Sequence, residues 1–290
     1  MFRPIQIMIA GAQKAATSSL KQYLSQHPFV CCHRRKEFNF FNRDEENKLG
    51  YENIFPRYFG HCINDDRVII AKNAGLMYLP EALGRLIDHN ANVHLVVVLR
   101  NPVDRAYSSY WYARSKGWED IQNFEEAIVA KSDRFRELVK KRNCSYLDYS
   151  NYYRHLKTLF AFFKEQQVHI FLLEDLKENI VKVCQHIYAS INLDSDFVPE
   201  TDIQYNKASI PHSESLAKFL SRENSIKNIL KLILPEKIIY KAREIRYLNK
   251  KEFSPPPMNP ETRARLIEYF KPYNKEVSKL IKRDLSHWNY

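Results

Sequence analysis

Two apolar strands, each breaking into a polar turn and then a helix, constrain this chain more than any other feature. The first, Ile5-Gln6-Ile7-Met8-Ile9-Ala10, runs into Gly11-Ala12-Gln13-Lys14-Ala15-Ala16-Thr17-Ser18-Ser19 and a helix. The second, over residues 93–99, ends on Arg100-Asn101-Pro102 before a helix that carries Ser108. Near-continuous apolar strands belong in parallel sheets covered by helices on both faces. Strand and helix patterns alternate as far as residue 191, so the predicted fold class is α/β, with a three-layer core.

The pattern predicts strands over 29–32, 68–71 and 168–173, with 93–99 placed centrally because its apolar run is the longest. Helices are predicted over 18–26, 79–89, 103–116, 124–141, 152–164 and 179–191. Beyond Asp194 the pattern is helical and irregular, over 213–222 and 226–248 with a break at Pro235. A stop at Ser254-Pro255-Pro256-Pro257 precedes a final helical pair, 261–270 and 274–283. A single domain is expected, with a core over 1–193 and a helical C-terminal lobe over 194–290.

The formal charge of +11 over 290 residues favours anionic partners: a nucleotide, a sulfated or phosphorylated product, a polyanion or an acidic membrane face. Nucleic acid is not expected, because zinc-finger spacing, recognition-motif aromatics and a basic tail are all missing. Five cysteines, an odd number without disulfide-like spacing, fit a reducing compartment. Vicinal Cys31-Cys32 reads as core packing, and no metal-ligand cluster joins the cysteines to the histidines. The chain enters a strand almost at once, and no apolar run approaches the ~20 residues of a membrane span. A cytoplasmic protein is expected. Residues 226–247 mix Lys and Arg with Leu, Ile and Tyr; an amphipathic core helix is favoured over a membrane-surface helix, although peripheral membrane contact stays open. Oligomeric state is not encoded in any motif.

Both turns suit phosphate. A helix N-terminus exposes backbone N–H groups that have no partner within the helix, and its dipole adds positive charge. Residues 14–19 form such a nest, with hydroxyls on Thr17, Ser18 and Ser19. Relative to the pattern G-x-x-x-x-G-K-[ST], Gly11 fits, but Ala16 replaces the second glycine and Thr17 the lysine. Lys14, inside the loop, takes over the charge. The bland alternative is a helix capped by Thr17 or Ser18 with an incidental lysine. In nucleotide triphosphatases the companion strand ends in an Asp that helps hold magnesium; here it ends in Arg100, whose guanidinium can grip a phosphate through two bonds. Ser108 lies two turns along the next helix, on the side of its start. The alternative is a capped helix with a surface arginine. Together the turns point to a P-loop-like fold and a transferase that uses a phosphorylated nucleotide without metal.

The loop over 11–20 and the segment Leu99-Arg100-Asn101-Pro102-Val103-Asp104-Arg105-Ala106-Tyr107-Ser108 resemble the two cofactor motifs of sulfotransferases that use 3′-phosphoadenosine 5′-phosphosulfate. The heparan-sulfate-type and related bacterial carbohydrate enzymes are most similar. Arg35-Lys36-Glu37-Phe38-Asn39-Phe40-Phe41 is similar to the family's K-E-x-H-F-F element, and the closing segment to Trp288 is similar to its terminal D-L-S-x-W. The resemblance implies that Gln13, Lys14, Ala15, Ala16, Thr17, Ser18 and Ser19 hold the 5′-phosphosulfate, and that Arg100 and Ser108 hold the 3′-phosphate. It implies Lys14 as the catalytic cation, a small-molecule or glycan acceptor, the bisphosphate as product, no metal and a bacterial source.

Glu37 is the candidate base for the acceptor hydroxyl, since neighbouring Phe38, Phe40 and Phe41 favour a raised carboxyl pKa; a surface Glu paired with Arg35 or Lys36 is the alternative. Asn39 stands where relatives often have His, which leaves a substrate-orienting role, with His33 a distant substitute base. Lys72 is similar to a lysine of the family's E-K-T-P-like element and is expected near substrate. The family's loop over the 3′-phosphate has no evident counterpart; 205–209 or Lys250-Lys251 are the candidates. Rival readings are a nucleotide kinase or triphosphatase, and a non-enzymatic binder of anionic glycan or lipid.

Overall fold

The computed structural model describes residues 2–63, 66–129, 145–201, 209–211 and 250–290. Its center is a five-stranded sheet in the order β2-β3-β1-β4-β5. The strands are β1 (Ile7–Gly11), β2 (Val30–Cys32), β3 (Val68–Lys72), β4 (His94–Leu99) and β5 (Val168–Leu172). Every pairing in the sheet is parallel. The middle strand is β1, not the longer β4, which sits between β1 and β5. Ile7, Met8, Ile9 and the 95–99 run of β4 have no exposed surface. Each such side chain contributes about 1.5–3 kcal/mol on burial.

The flanking helices follow the predicted periodicity: α1 (Thr17–Leu24), α4 (Pro80–His89), α5 (Pro102–Ser115), α6 (Phe124–Val129) and α7 (Tyr152–Phe162). Two helices have no counterpart in the sequence reading: α2 (Asp44–Lys48), which buries no side chain, and α3 (Tyr51–Phe59), whose pattern Pro56 interrupts. Helix α8 (Leu173–Ala189) contains a non-helical residue, Asn179, at φ −154° and ψ 82°. Asn179 Oδ1 accepts from the Lys182 N–H at 2.9 Å, so this residue caps the helix predicted to begin there, and an unforeseen turn precedes it. The predicted closing pair is one helix, α9 (Pro260–Ile281), continuous through Pro272. Leu266, Phe270, Asn274 and Val277 form one buried stripe across the proline; packing along that stripe outweighs one lost hydrogen bond.

The chain divides into two compact units. The first, Met1–Arg105, Tyr149–Asn206 and Ile267–Tyr290, carries the parallel sheet. The second, Ala106–Asp148 and Lys207–Leu266, holds α6 and a two-stranded antiparallel sheet, β6 (Ser209–Pro211) with β7 (Lys250–Glu252). Within it, Tyr146 donates to Glu119 Oε2 at 3.0 Å and Tyr107 to the Pro256 carbonyl at 2.9 Å. The predictions for 213–222, 226–248 and the end of 124–141 lie outside the described residues, as do Cys144 and residues 205–208. No described helix is long and apolar enough to cross a membrane.

Two expectations about the cysteines are corrected, the lack of a disulfide and the lack of a cysteine–histidine cluster. Cys31 is bonded to Cys62 across a separation of 31 residues, and His61 Nε2 lies 3.7 Å from Cys31 Sγ. Cys62 ends a 3₁₀ turn (Gly60–Cys62) that feeds β3, and β3 pairs with β2. That parallel pairing, invisible in local spacing, brings the two cysteines and the histidine together. Cys32 is free and buried, as core packing predicts, and Cys184 is also free and buried.

Candidate active site

The first turn joins β1 to α1. Gly11 has no room for a Cβ, which would strike the buried Met77 side chain. Lys14 and Ala16 both take left-handed backbone, at φ 69° and φ 58°. That conformation is why glycine usually occupies the position of Ala16. Ala16 is also the N-cap residue of α1, and no side chain caps that helix. Neither Thr17 nor Ser18 acts as the cap that the bland alternative requires. Ala15 and Thr17 are buried, while Gln13, Lys14, Ala16, Ser18 and Ser19 are half-buried.

The second turn joins β4 to α5. Asn101 Oδ1 accepts from the N–H groups of Val103 (3.0 Å) and Asp104 (3.4 Å), so Asn101 caps α5, and Pro102 is its first residue. Asn101 Nδ2 donates to the Trp288 carbonyl at 3.3 Å. Trp288 is buried beside Tyr152, whose hydroxyl donates to the Arg100 carbonyl at 2.9 Å. The terminal D-L-S-x-W element therefore buttresses the second turn. Arg100 Nη1 donates to the Lys14 carbonyl at 3.2 Å, which links the two turns. Ser108 lies further along α5, in the second unit.

A third element comes from the end of β3. Lys72 Nζ donates to Glu37 Oε1 at 2.8 Å and to Ser18 Oγ at 3.0 Å, and Glu37 Oε2 accepts from the Ala74 N–H at 3.1 Å. The Lys72 side chain is 1% exposed and that of Glu37 30%. The alternative reading did not name this buried lysine as a partner of Glu37; the Arg35 guanidinium lies over the Tyr58 ring, 4.7 Å from its centroid. Phe38 packs on Phe40 and Phe41, with centroids 6.1 and 5.7 Å away. Asn39 Oδ1 accepts from Asn73 Nδ2 at 3.2 Å, and the same nitrogen reaches the Phe38 carbonyl at 2.9 Å. His33 Nε2 accepts from the Lys72 N–H at 3.0 Å. Burial, reinforced by Lys21 and Lys72, lowers its pKa to about 3. With that lone pair committed to the backbone, His33 is no substitute base.

The electrostatics are lopsided. Burial, then Lys36, Arg100 and Arg105, lowers the Lys14 pKa to about 8. Burial also lowers the pKa of Lys72, against the pull of Glu37. Crowded, partly desolvated cations favour a bound anion. Three contributors escaped the sequence reading. Lys21 Nζ donates to the carbonyls of His33 (2.9 Å) and Arg35 (3.2 Å), which fixes the Glu37 segment against α1. Arg105 is fully buried and donates from Nε to Ser150 Oγ at 2.6 Å. Asn73 staples the 38–42 segment. Lys21 carried a signal, since it shares the buried face of α1 with Thr17, Leu20 and Leu24.

The family model for the sulfotransferase domain matches residues 4–210. The chain is 26% identical over 152 residues to the membrane-associated sulfotransferase kil1 of Dictyostelium discoideum, covering 47% of this chain and 32% of that protein. It is 32% identical over 121 residues to the human heparan sulfate glucosamine 3-O-sulfotransferase 3B1, covering 41% and 29%. Over 290 residues it is 23% identical to the mouse bifunctional heparan sulfate N-deacetylase/N-sulfotransferase 4, covering 96% of this chain and 30% of that one. The matched region thus spans about a third of these relatives. A crystal structure of a sulfotransferase from Alicyclobacillus acidocaldarius superposes with a TM-score of 0.72 at 25% identity, covering 100% of both chains. With the parallel sheet, the two linked turns and a family match across most of its length, the chain belongs to the sulfotransferase domain family.

Proposed function

We propose that this protein transfers a sulfuryl group from 3′-phosphoadenosine 5′-phosphosulfate to a hydroxyl, or an amine, of a carbohydrate or glycoconjugate acceptor. The observation that carries the proposal is the bond from Arg100 to the Lys14 carbonyl, which joins two cationic turns and supports reading them as one anion site. The left-handed loop and the start of α1, uncapped by any side chain, suit the 5′ end of the donor. Arg100 is assigned to the 3′-phosphate, together with Ser108. The chain supplies the charge that a metal supplies in nucleotide triphosphatases.

In this scheme Lys14 offsets the negative charge that develops on the leaving phosphate, and Glu37 takes the proton of the acceptor. Sulfuryl transfer depends on positioning and electrostatics, as phosphoryl transfer does. Lys72 holds one Glu37 oxygen and the Ala74 N–H holds the other, so the carboxylate is oriented before an acceptor arrives. Asn39, whose Oδ1 accepts from Asn73, is assigned to orient the acceptor, because an amide cannot take its proton. The two heparan-sulfate relatives support a glycan acceptor.

Titration calorimetry with 3′-phosphoadenosine 5′-phosphate, against ATP with magnesium, tests the donor assignment. Preferential binding of the bisphosphate is expected; preference for ATP would return the chain to the kinase class. Transfer of labelled sulfate across a panel of glycans then tests the acceptor class.

A further inference from the structure

Away from the donor turns, three soft donor atoms converge where β2 meets the 3₁₀ turn before β3. Cys31 Sγ, His61 Nε2 or Nδ1, and Cys62 Sγ lie within 4.8 Å of one another. We propose that, when its disulfide is reduced, this cluster is a three-ligand site for a soft divalent cation of the zinc class.

The donor set is the first argument. Two thiolates and an imidazole are the ligands that zinc selects, and three protein ligands leave a fourth position for water or an outside donor. Spacing is the second. Zinc bonds of about 2.3 Å to sulfur and about 2.0 Å to nitrogen, at a tetrahedral angle, hold the two donors about 3.5 Å apart. With the disulfide formed the Cys31 Sγ to His61 Nε2 distance is 3.7 Å, and on reduction the two sulfurs part by side-chain rotation to the roughly 3.8 Å that two zinc–sulfur bonds require. Rigidity is the third. Cys31 is the middle residue of a paired strand, in register with Ile69, and Cys62 and His61 share one short turn. Arg3 donates to the carbonyls of Cys62 and Arg67, and Arg67 Nη2 donates to the His61 carbonyl at 3.4 Å, so the backbone on either side of the turn is held. Both cysteines are 1% exposed, which gives the cation the low-dielectric surroundings that strengthen thiolate binding.

The chemistry balances without a hidden partner. Two equivalents of a small thiol deliver two electrons and two protons to the disulfide, break the sulfur–sulfur bond and leave as their own disulfide. The cation then displaces both cysteine thiol protons to the buffer, and neutral His61 adds its lone pair. Oxidised protein binds no cation here, because its sulfurs are joined to each other.

The test uses the full chain, reduced with a water-soluble phosphine under argon and freed of reductant, then titrated with Co(II) as a spectroscopic stand-in. One equivalent is expected to raise the near-ultraviolet thiolate charge-transfer band and the visible bands of four-coordinate cobalt, and zinc is expected to abolish both. Reoxidised protein shows neither band. Cys31→Ser and Cys62→Ser remove the charge-transfer intensity of one sulfur each. His61→Ala, on the turn rather than in the strand, weakens Co(II) binding at least tenfold and covers the case in which a cysteine variant misfolds. Absence of the bands in reduced wild type, unchanged binding in His61→Ala, or a disulfide that opens only when the circular dichroism of the fold is lost, each overturns the proposal.

Discussion

The guanidinium of Arg100 donates to the carbonyl oxygen of Lys14 at 3.2 Å, across 86 positions of sequence. One bond therefore fixes the loop that carries an ammonium to the strand end that carries a guanidinium. Both cations are partly desolvated, and burial is the leading cause of the lowered pKa of each.

Arg100→Lys keeps the charge and loses the fork. A hydrogen bond to a charged group contributes about 1.5–3 kcal/mol, so affinity for the adenosine bisphosphate should fall between about tenfold and about a hundredfold. Calorimetry reads this directly. An unchanged Kd would remove Arg100 from the anion site.

Nucleotide affinity should also fall on the alkaline side. The Lys14 pKa is lowered to about 8, so the ammonium is present below that value and is lost as pH rises through it. Each pH unit above the pKa removes about tenfold of the charged form, with a matching limit on affinity. Binding of the bisphosphate measured from pH 7 to pH 10 checks the sign, and Lys14→Arg should flatten the profile. A flat wild-type profile would contradict the assignment.

Glu37 and Lys72 should separate chemistry from stability. Glu37→Gln keeps its packing and loses the proton acceptor; turnover should drop by about 10²–10⁴ while nucleotide affinity holds. Lys72→Met breaks a buried ion pair and should cost about 2 kcal/mol in denaturant melts, with the Glu37 exposure of 30% softening the loss. If Glu37→Gln retains full rate, another group takes the proton.

Ala16→Gly should stabilise the fold. A side chain at φ 58° costs about 1–2 kcal/mol, and the extra freedom of glycine in the unfolded chain gives back about half of that. The net gain of about 0.5–1 kcal/mol appears as a higher Tm. A lower Tm would mean that the methyl group has packing worth more than the strain.

Acid should destabilise the protein through its histidines. His33 is lowered to about 3, and His89 and His169 to about 4, each with burial as the first cause and, for His169, His94 and His186 adding to it. Their unfolded values are near 6.5, so from that pH down to about 4 the unfolded chain binds more protons. Stability contributed by these neutral imidazoles is full above pH 6.5 and is lost as pH falls through that window. Melting followed from pH 7.5 to 4.5 should show a falling Tm, less steep in His169→Gln, whose ring neighbours are His94 Nδ1 at 2.9 Å and His186 Nε2 at 3.3 Å. A constant Tm over that range would refute the linkage.

The amino-acid sequence by itself determined the parallel α/β class, the strands β1 to β5 and the two strand-end turns, because apolar runs and turn residues act over a few neighbouring positions. It also marked Glu37 and Lys72, through short motifs. It did not place α2, nor α3 with its internal Pro56, because their local patterns are weak and packing supplies the stability. Nor did it show that α9 runs through Pro272, where a buried stripe outweighs a local penalty. Only the tertiary structure decided partnerships between distant residues. Lys72 reaches Glu37 across 35 positions, Lys21 holds the carbonyls of the Glu37 segment, and Cys31 meets Cys62 because β2 pairs with β3. Such contacts depend on which strands lie side by side, and strand order is settled by the burial of whole faces rather than by any local spacing.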